Sequence, residues 1–230
     1  MKCIGLLGGM SWESTVSYYQ ALNRGVRARL GGLHSARVLL NSVDFAEIER
    51  LQHAGDWPAT ARLLSAAARD LQAGGADCLL IGTNTMHKVA PEIATAIEIP
   101  LLHIADATAK RLVADGVTRV GLLGTRFTME QDFYKGRLTE SFGLEVLVPP
   151  EAEQERVHRI IYDELCLGQV LDASRAEYLV IIAGLAKAGA QAVILGCTEI
   201  ALLVGDAKAA VPLYDTTAIH AEAAVEWALA

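Results

Sequence analysis

The sequence is short of positive charge. Twenty Lys and Arg face 27 Asp and Glu in 230 residues, a formal net charge of −7. A surface that neutralises nucleic-acid phosphates needs the opposite balance, so a general nucleic-acid partner is excluded. Long apolar runs are missing too. None reaches about 18 residues without a charge, the length a membrane-spanning helix needs, so no membrane partner is expected. The stretch from Ile4 to Met10 is too short and too rich in glycine for a signal peptide, and a cytoplasmic protein is the expectation. Cysteine is scattered. Cys3, Cys78, Cys166 and Cys197 form no Cys-x-x-Cys pair and no Cys/His cluster with zinc spacing, so no metal is expected. In a reducing compartment all four are free thiols, and buried packing is the ordinary role of each. A Gly-x-Gly-x-x-Gly motif is lacking, and no acidic residue follows Gly8-Gly9 at dinucleotide spacing. No Lys sits in a context that singles it out for a Schiff base.

What is present is a large apolar fraction, 52%, with 20% charged residues, enough for a sizeable core. The length allows one large domain or two small ones. An internal repeat decides between them. Ile4-Gly-Leu-Leu-Gly-Gly-Met10 recurs as Val120-Gly-Leu-Leu-Gly-Thr-Arg126. Gly75-Ala-Asp-Cys-Leu-Leu-Ile-Gly-Thr83-Asn-Thr85 recurs as Gly189-Ala-Gln-Ala-Val-Ile-Leu-Gly-Cys197-Thr-Glu199, and Ile99-Pro-Leu101 as Val211-Pro-Leu213. The offsets are 116, 114 and 112 residues, in one order, so the chain reads as two similar halves. Continuous apolar runs at 3–7, 38–40, 78–81, 101–104, 120–123, 144–148, 192–195 and 211–214 suit parallel strands buried on both faces. Helical spacing of Ala and Leu fills 57–72 and 176–188. The expectation is α/β: two similar domains with parallel sheets, related by a pseudo-twofold axis. The first comprises 1–104 plus 215–230 and the second 105–214.

In parallel α/β sheets, ligands sit beyond the carboxyl ends of the strands. The repeat puts residues 8–11, 83–85, 124–126 and 197–199 there, and two facing domains would bring them to one interdomain cleft. Cys197 is the residue with chemistry to offer. A thiol between a strand end and a helix start meets backbone N–H groups and a helix dipole, which lower its pKa from about 8.5. The competing reading is a cysteine that packs beneath the turn. Its repeat counterpart is Thr83. His87, four residues further on, can tune a proton relay or cap the turn. His103, His158 and His220 show no partners in the sequence and read as structural or exposed. Glu199 can bond Cys197 or a substrate ammonium, or serve as an ordinary first-turn acid.

These residues resemble the aspartate/glutamate racemase superfamily, which also holds hydantoin racemases, maleate isomerases and arylmalonate decarboxylases. The likeness runs along the whole chain. Its carriers are Gly-Gly-Met-Ser-Trp-Glu-Ser-Thr (8–15), Asn-Thr-Met-His-Lys (84–88), Leu123-Gly124-Thr125 and Gly196-Cys197-Thr198-Glu199-Ile200. It is nearest to the L-aspartate/glutamate-specific racemases. The resemblance implies cofactor-free racemisation, in which two cysteines flank the α-carbon of a small amino-acid substrate. Cys197 matches the second cysteine, the base for the L face. Thr83 stands where the first would be. A Thr hydroxyl is far too weakly acidic to be a free base at neutral pH, so Thr83 can deliver a proton only if a water chain or neighbour recharges it. Backbone N–H groups and Asn84, Thr85 and Thr198 would hold the α-carboxylate and stabilise the carbanion. Met10, Gln52, Thr125 and Glu199 complete the implied substrate-binding set.

Aspartate racemases often carry an Arg after an early Pro-Asp and a Lys in a Glu-Leu-Lys stretch. Phe45 after Asp44 and Cys166 after Leu165 stand here instead. Gln52, Arg126 and Lys88 are the candidates to replace that carboxylate clamp. Two rival readings follow from Thr83. One is a single-cysteine decarboxylase or isomerase of the same superfamily, the other an amino-acid-binding protein without catalysis. The oligomeric state, a homodimer included, stays open at this level.

Overall fold

A computed structural model describes residues 1–205 and 207–230. In chain order its elements begin with β1 (Ile4–Gly8), α1 (Trp12–Leu30), β2 (Val38–Ser42), α2 (Phe45–His53), α3 (Trp57–Ala73) and β3 (Cys78–Ile81). A 3₁₀ turn at Thr85–Val89, α4 (Ala90–Thr95), β4 (Leu101–Leu102) and α5 (Ile104–Ala114) follow. The series repeats with β5 (Arg119–Gly124), α6 (Arg126–Glu130), α7 (Asp132–Phe142), β6 (Glu145–Leu147) and α8 (Glu151–Asp163). It ends with a 3₁₀ turn at Leu165–Leu167, α9 (Asp172–Lys187), β7 (Ala192–Gly196), α10 (Ile200–Val204), β8 (Leu213–Asp215) and α11 (Thr216–Leu229).

Contacts divide the chain into two compact units, Met1–Ile104 with His220–Ala230, and Ala105–Ile219. Residues 215–219, expected with the first half, cluster with the second. Asp215 still pairs with Leu195 in the sheet, and Thr216 Oγ1 donates to the Leu195 carbonyl at 2.9 Å.

Each unit holds one four-stranded sheet, ordered β2-β1-β3-β4 in the first and β6-β5-β7-β8 in the second. Every paired neighbour is parallel. The architecture is the expected α/β, and the strand order is the same in both sheets. The central strands β1, β3 and β7 are buried along their whole length, which is why they read as unbroken apolar runs. The edges are shorter than the runs suggest. The run at 101–104 yields only Leu101–Leu102, because Ile104 already opens α5. Val211 and Pro212 precede β8, although the Pro212 carbonyl still accepts from Val193 N at 2.9 Å.

Helices cover the sheets with their apolar faces. In α1, Ser14, Thr15, Tyr18, Leu22 and Val26 are buried, a spacing of three and four that lines one face. Tyr18 and Leu22 pack with Ile4, Leu6, Leu80, Ala224 and Val225. On the sheet's other face Leu64, Ala68 and Leu71 of α3 meet Leu7, Leu79 and Ile81. The second unit has its own cluster, in which Tyr178, Ile181 and Leu185 of α9 join Val157, Val193, Leu195 and Cys197. Truncating a fully buried leucine such as Leu80 to alanine costs about 2–5 kcal/mol, since the cavity is only partly refilled. Among the described residues, no helix is long and apolar enough to cross a membrane.

Candidate active site

The first turn after β1 is built by Gly8-Gly9-Met10-Ser11. Gly9 has φ +90°, and a Cβ there would lie 2.2 Å from the Val43 carbonyl oxygen, so only glycine fits. Gly9 N donates to Thr15 Oγ1 at 2.8 Å, while Thr15 Oγ1 donates to the Ser11 carbonyl at 2.9 Å. Ser11 Oγ accepts from Ser14 N and so caps α1. The motif residues thus stitch a strand end to a helix start. Met10 is buried among Leu7, Ile48, Ala61 and Leu64. Gln52 is buried in the last turn of α2.

Thr83 lies two residues beyond β3, followed by Asn84 and the turn that contains Thr85. All three are buried. His87 holds this segment. Its Nε2 accepts from the backbone N–H of Ile104 at 3.2 Å, so the proton resides on Nδ1, which donates to the Thr83 carbonyl at 2.8 Å. That tautomer is the capping arrangement. The His103 ring lies tilted against that of His87, at 60° with centroids 4.4 Å apart. His220 has partners as well: Nε2 donates to the Leu102 carbonyl at 2.7 Å and Nδ1 accepts from Tyr18 Oη at 2.8 Å. Burial pushes its pKa down from 6.5 to about 4, so His220 is neutral.

In the second unit, β7 delivers Cys197. A Cβ on Gly196 would lie 2.7 Å from the Leu123 carbonyl, so the glycine lets β7 approach β5 at that point. Cys197 is 9% exposed and packs with Leu195, Ile200 and Tyr178. Its Sγ donates to Glu199 Oε2 at 3.0 Å, and Thr198 Oγ1 donates to the same oxygen at 2.7 Å. The Glu199 side chain therefore turns back onto the thiol. This corrects the expected thiolate. Burial first, then the neighbouring Glu199 charge, pushes the Cys197 pKa well above its ordinary value. A backbone hydrogen bond works the other way and loses, and α10 is only five residues long. Resting Cys197 is a thiol. Cys166 is half-buried against the same cluster, and its charge adds to the upward push.

Thr125 caps α6, its Oγ1 accepting from Thr128 N at 3.4 Å. Two clamp candidates are engaged elsewhere. Arg126 pairs with Glu130 at 3.0 Å and Glu155 at 3.3 Å, and Lys88 Nζ sits 4.0 Å from the Trp57 ring centroid. Each sheet thus gathers its own share of the expected residues at its carboxyl edge: Met10, Thr83, Asn84 and Thr85 in the first, Thr125, Cys197, Thr198 and Glu199 in the second. One residue at this edge escaped the sequence reading. Thr217 follows β8, is 4% exposed, and its Oγ1 has no hydrogen-bond partner. The signal available was Asp215-Thr216-Thr217 directly after an apolar run. Among the described residues, no group of three or more His, Cys, Asp or Glu is placed to hold a metal ion.

Residues 7–224 match the family described as Asp/Glu/hydantoin racemase. A Yersinia pestis crystal structure, provisionally named an Asp/Glu racemase, is 56% identical with a TM-score of 0.92, covering 100% of both chains. An aspartate racemase homologue from Pyrococcus horikoshii OT3 is 33% identical with a TM-score of 0.85, again over 100% of both. The Picrophilus torridus aspartate racemase shares the fold at 20% identity, with a TM-score of 0.80 over 99% of this chain and 94% of that one.

Proposed function

The chain belongs to the Asp/Glu/hydantoin racemase family, and from that premise we propose that it racemises L-aspartate or L-glutamate without a cofactor. Cys197 removes the α-proton of the L substrate, and Thr83 serves the opposite face. The observation that carries this reading is the Cys197–Glu199 hydrogen bond at 3.0 Å, at the strand end whose repeat counterpart bears Thr83. It supplies an ionisable thiol beside a buried carboxylate that can attract a substrate ammonium. A bound ammonium offsets the Glu199 charge, which is one of the causes that keep the thiol protonated. Binding itself then eases formation of the base. Asn84, Thr85 and the backbone N–H of Thr198 hold the α-carboxylate, where charge develops as the proton leaves. Met10, Gln52 and Thr125 complete the binding set, and the protein is at home in the cytoplasm.

Proton NMR of L-aspartate and L-glutamate in D₂O tests the proposal, with chiral chromatography alongside. The α-proton signal should fade, and the D enantiomer should appear more slowly, because Cys197 can return a solvent deuteron to the face it came from. Cys197→Ser should slow exchange by ~100-fold or more, the scale of a lost general base, while Cys3→Ser leaves it intact. Exchange at the parent rate in C197S removes Cys197 from the chemistry. Binding without exchange by the parent makes the chain a binding protein.

A further inference from the structure

The carboxyl edge of the second sheet holds a polar group left unsatisfied. Asp215 closes β8, and its Oδ1 accepts from the backbone N–H of Thr217 at 2.8 Å and of Ala218 at 3.1 Å, which caps α11. Thr216 Oγ1 is used on the Leu195 carbonyl. Thr217 is also buried, yet its hydroxyl bonds to nothing. A buried hydroxyl without a partner is costly, and native structures retain few of them. Its place in the sheet is informative. Leu195 and Asp215 are register partners on adjacent parallel strands, so Cys197 and Thr217 both lie two residues past the same paired row. The positive end of the 14-residue helix that starts here is already met by the Asp215 carboxylate, so what stays unused is the Thr217 hydroxyl.

We propose that the Thr217 hydroxyl donates a hydrogen bond to a carboxylate oxygen of the amino-acid substrate beside Cys197. The assignment rests on the racemase reading and adds a binding residue to it. The loose hydroxyl is the donor, and the level shared with Cys197 puts the anchored group next to the reacting thiol.

Thr217→Val keeps the shape and removes the hydroxyl, while Thr217→Ser keeps the hydroxyl. Calorimetric titration with L-aspartate and L-glutamate should show binding weakened by about tenfold or more in T217V, as for a lost hydrogen bond to a charged group. KM should rise more than kcat falls, and T217S should restore both. The melting temperature of T217V should equal or exceed the parent's, because no hydrogen bond within the protein is lost. L-Asparagine serves as the second ligand. Equal weakening of L-aspartate and L-asparagine identifies the α-carboxylate, and weakening confined to L-aspartate identifies the side-chain carboxylate. Parent-like binding in T217V overturns the assignment, and so does weaker binding accompanied by a lower melting temperature. A parent that binds these amino acids without α-proton exchange overturns the racemase reading alone, since calorimetry still decides on Thr217.

Discussion

At the scale of single residues, the Cys197–Glu199 pair is the feature with the clearest electrostatic consequence. The carboxylate raises the thiol pKa by proximity and by accepting its hydrogen bond. Glu199→Gln removes the charge and leaves burial in place. The Cys197 thiolate should then appear at a lower pH than in the parent, though still above that of an exposed thiol. The ultraviolet thiolate absorbance of E199Q, minus that of E199Q/C197S, measures this directly. An unshifted titration means burial alone controls the thiol. The position of Cys197 was legible in the sequence, because the repeat pairs it with Thr83 at the end of matching apolar runs. Its protonation state was not. A Glu two residues on can point anywhere, and only the folded turn brings its oxygen within 3.0 Å of the sulfur. Thr217 was illegible for a related reason, since an unsatisfied hydroxyl is a property of packing and not of residue order.

At the scale of elements, the strand-to-helix turn after β1 shows how tightly a motif can be constrained. Gly9→Ala forces a Cβ to within 2.2 Å of the Val43 carbonyl at a φ of +90°. The chain between β1 and α1 must shift, at a cost of ~3 kcal/mol or more. Gly143, at the end of α7, has φ +70° and ψ +18° but nothing within 4 Å of a would-be Cβ. Gly143→Ala should cost only about 1 kcal/mol of backbone strain. Urea unfolding of the two variants separates steric from conformational demand, and equal midpoints would contradict it. Central strands such as 78–81 and 192–195 could be read directly, because burial on both faces leaves no polar interruption. The edges could not. Ile104 is apolar and β-branched like a strand residue, yet it begins a helix tied to His87 through its backbone N–H.

At the scale of the whole molecule, buried titratable groups set the pH range of stability. His220 has a folded pKa of about 4 against 6.5 unfolded. Between those values the unfolded chain takes up a proton that the folded chain refuses. Stability is therefore full above about pH 6.5 and falls as pH drops toward 4, by on the order of 3 kcal/mol. The alkaline side has the opposite sign. Burial raises Cys78 from 9.0 to about 12 and also raises Tyr134, Tyr178 and Cys197, so the folded chain keeps protons that the unfolded chain releases. Stability from these groups is complete below about pH 9 and declines as pH rises toward 12. Urea midpoints measured across pH should peak between 6.5 and 9 and fall on both sides, and a midpoint that keeps rising below pH 6 would contradict the neutral His220. The matched strand orders of the two sheets have a genetic consequence. A homodimer assembled from one such half is bound by a single gene copy to carry the same residue at both equivalent places, so any mutation there strikes twice. Duplication within one chain releases that bond. Position 83 can carry threonine while position 197 carries cysteine, and the two equivalent places are free to differ.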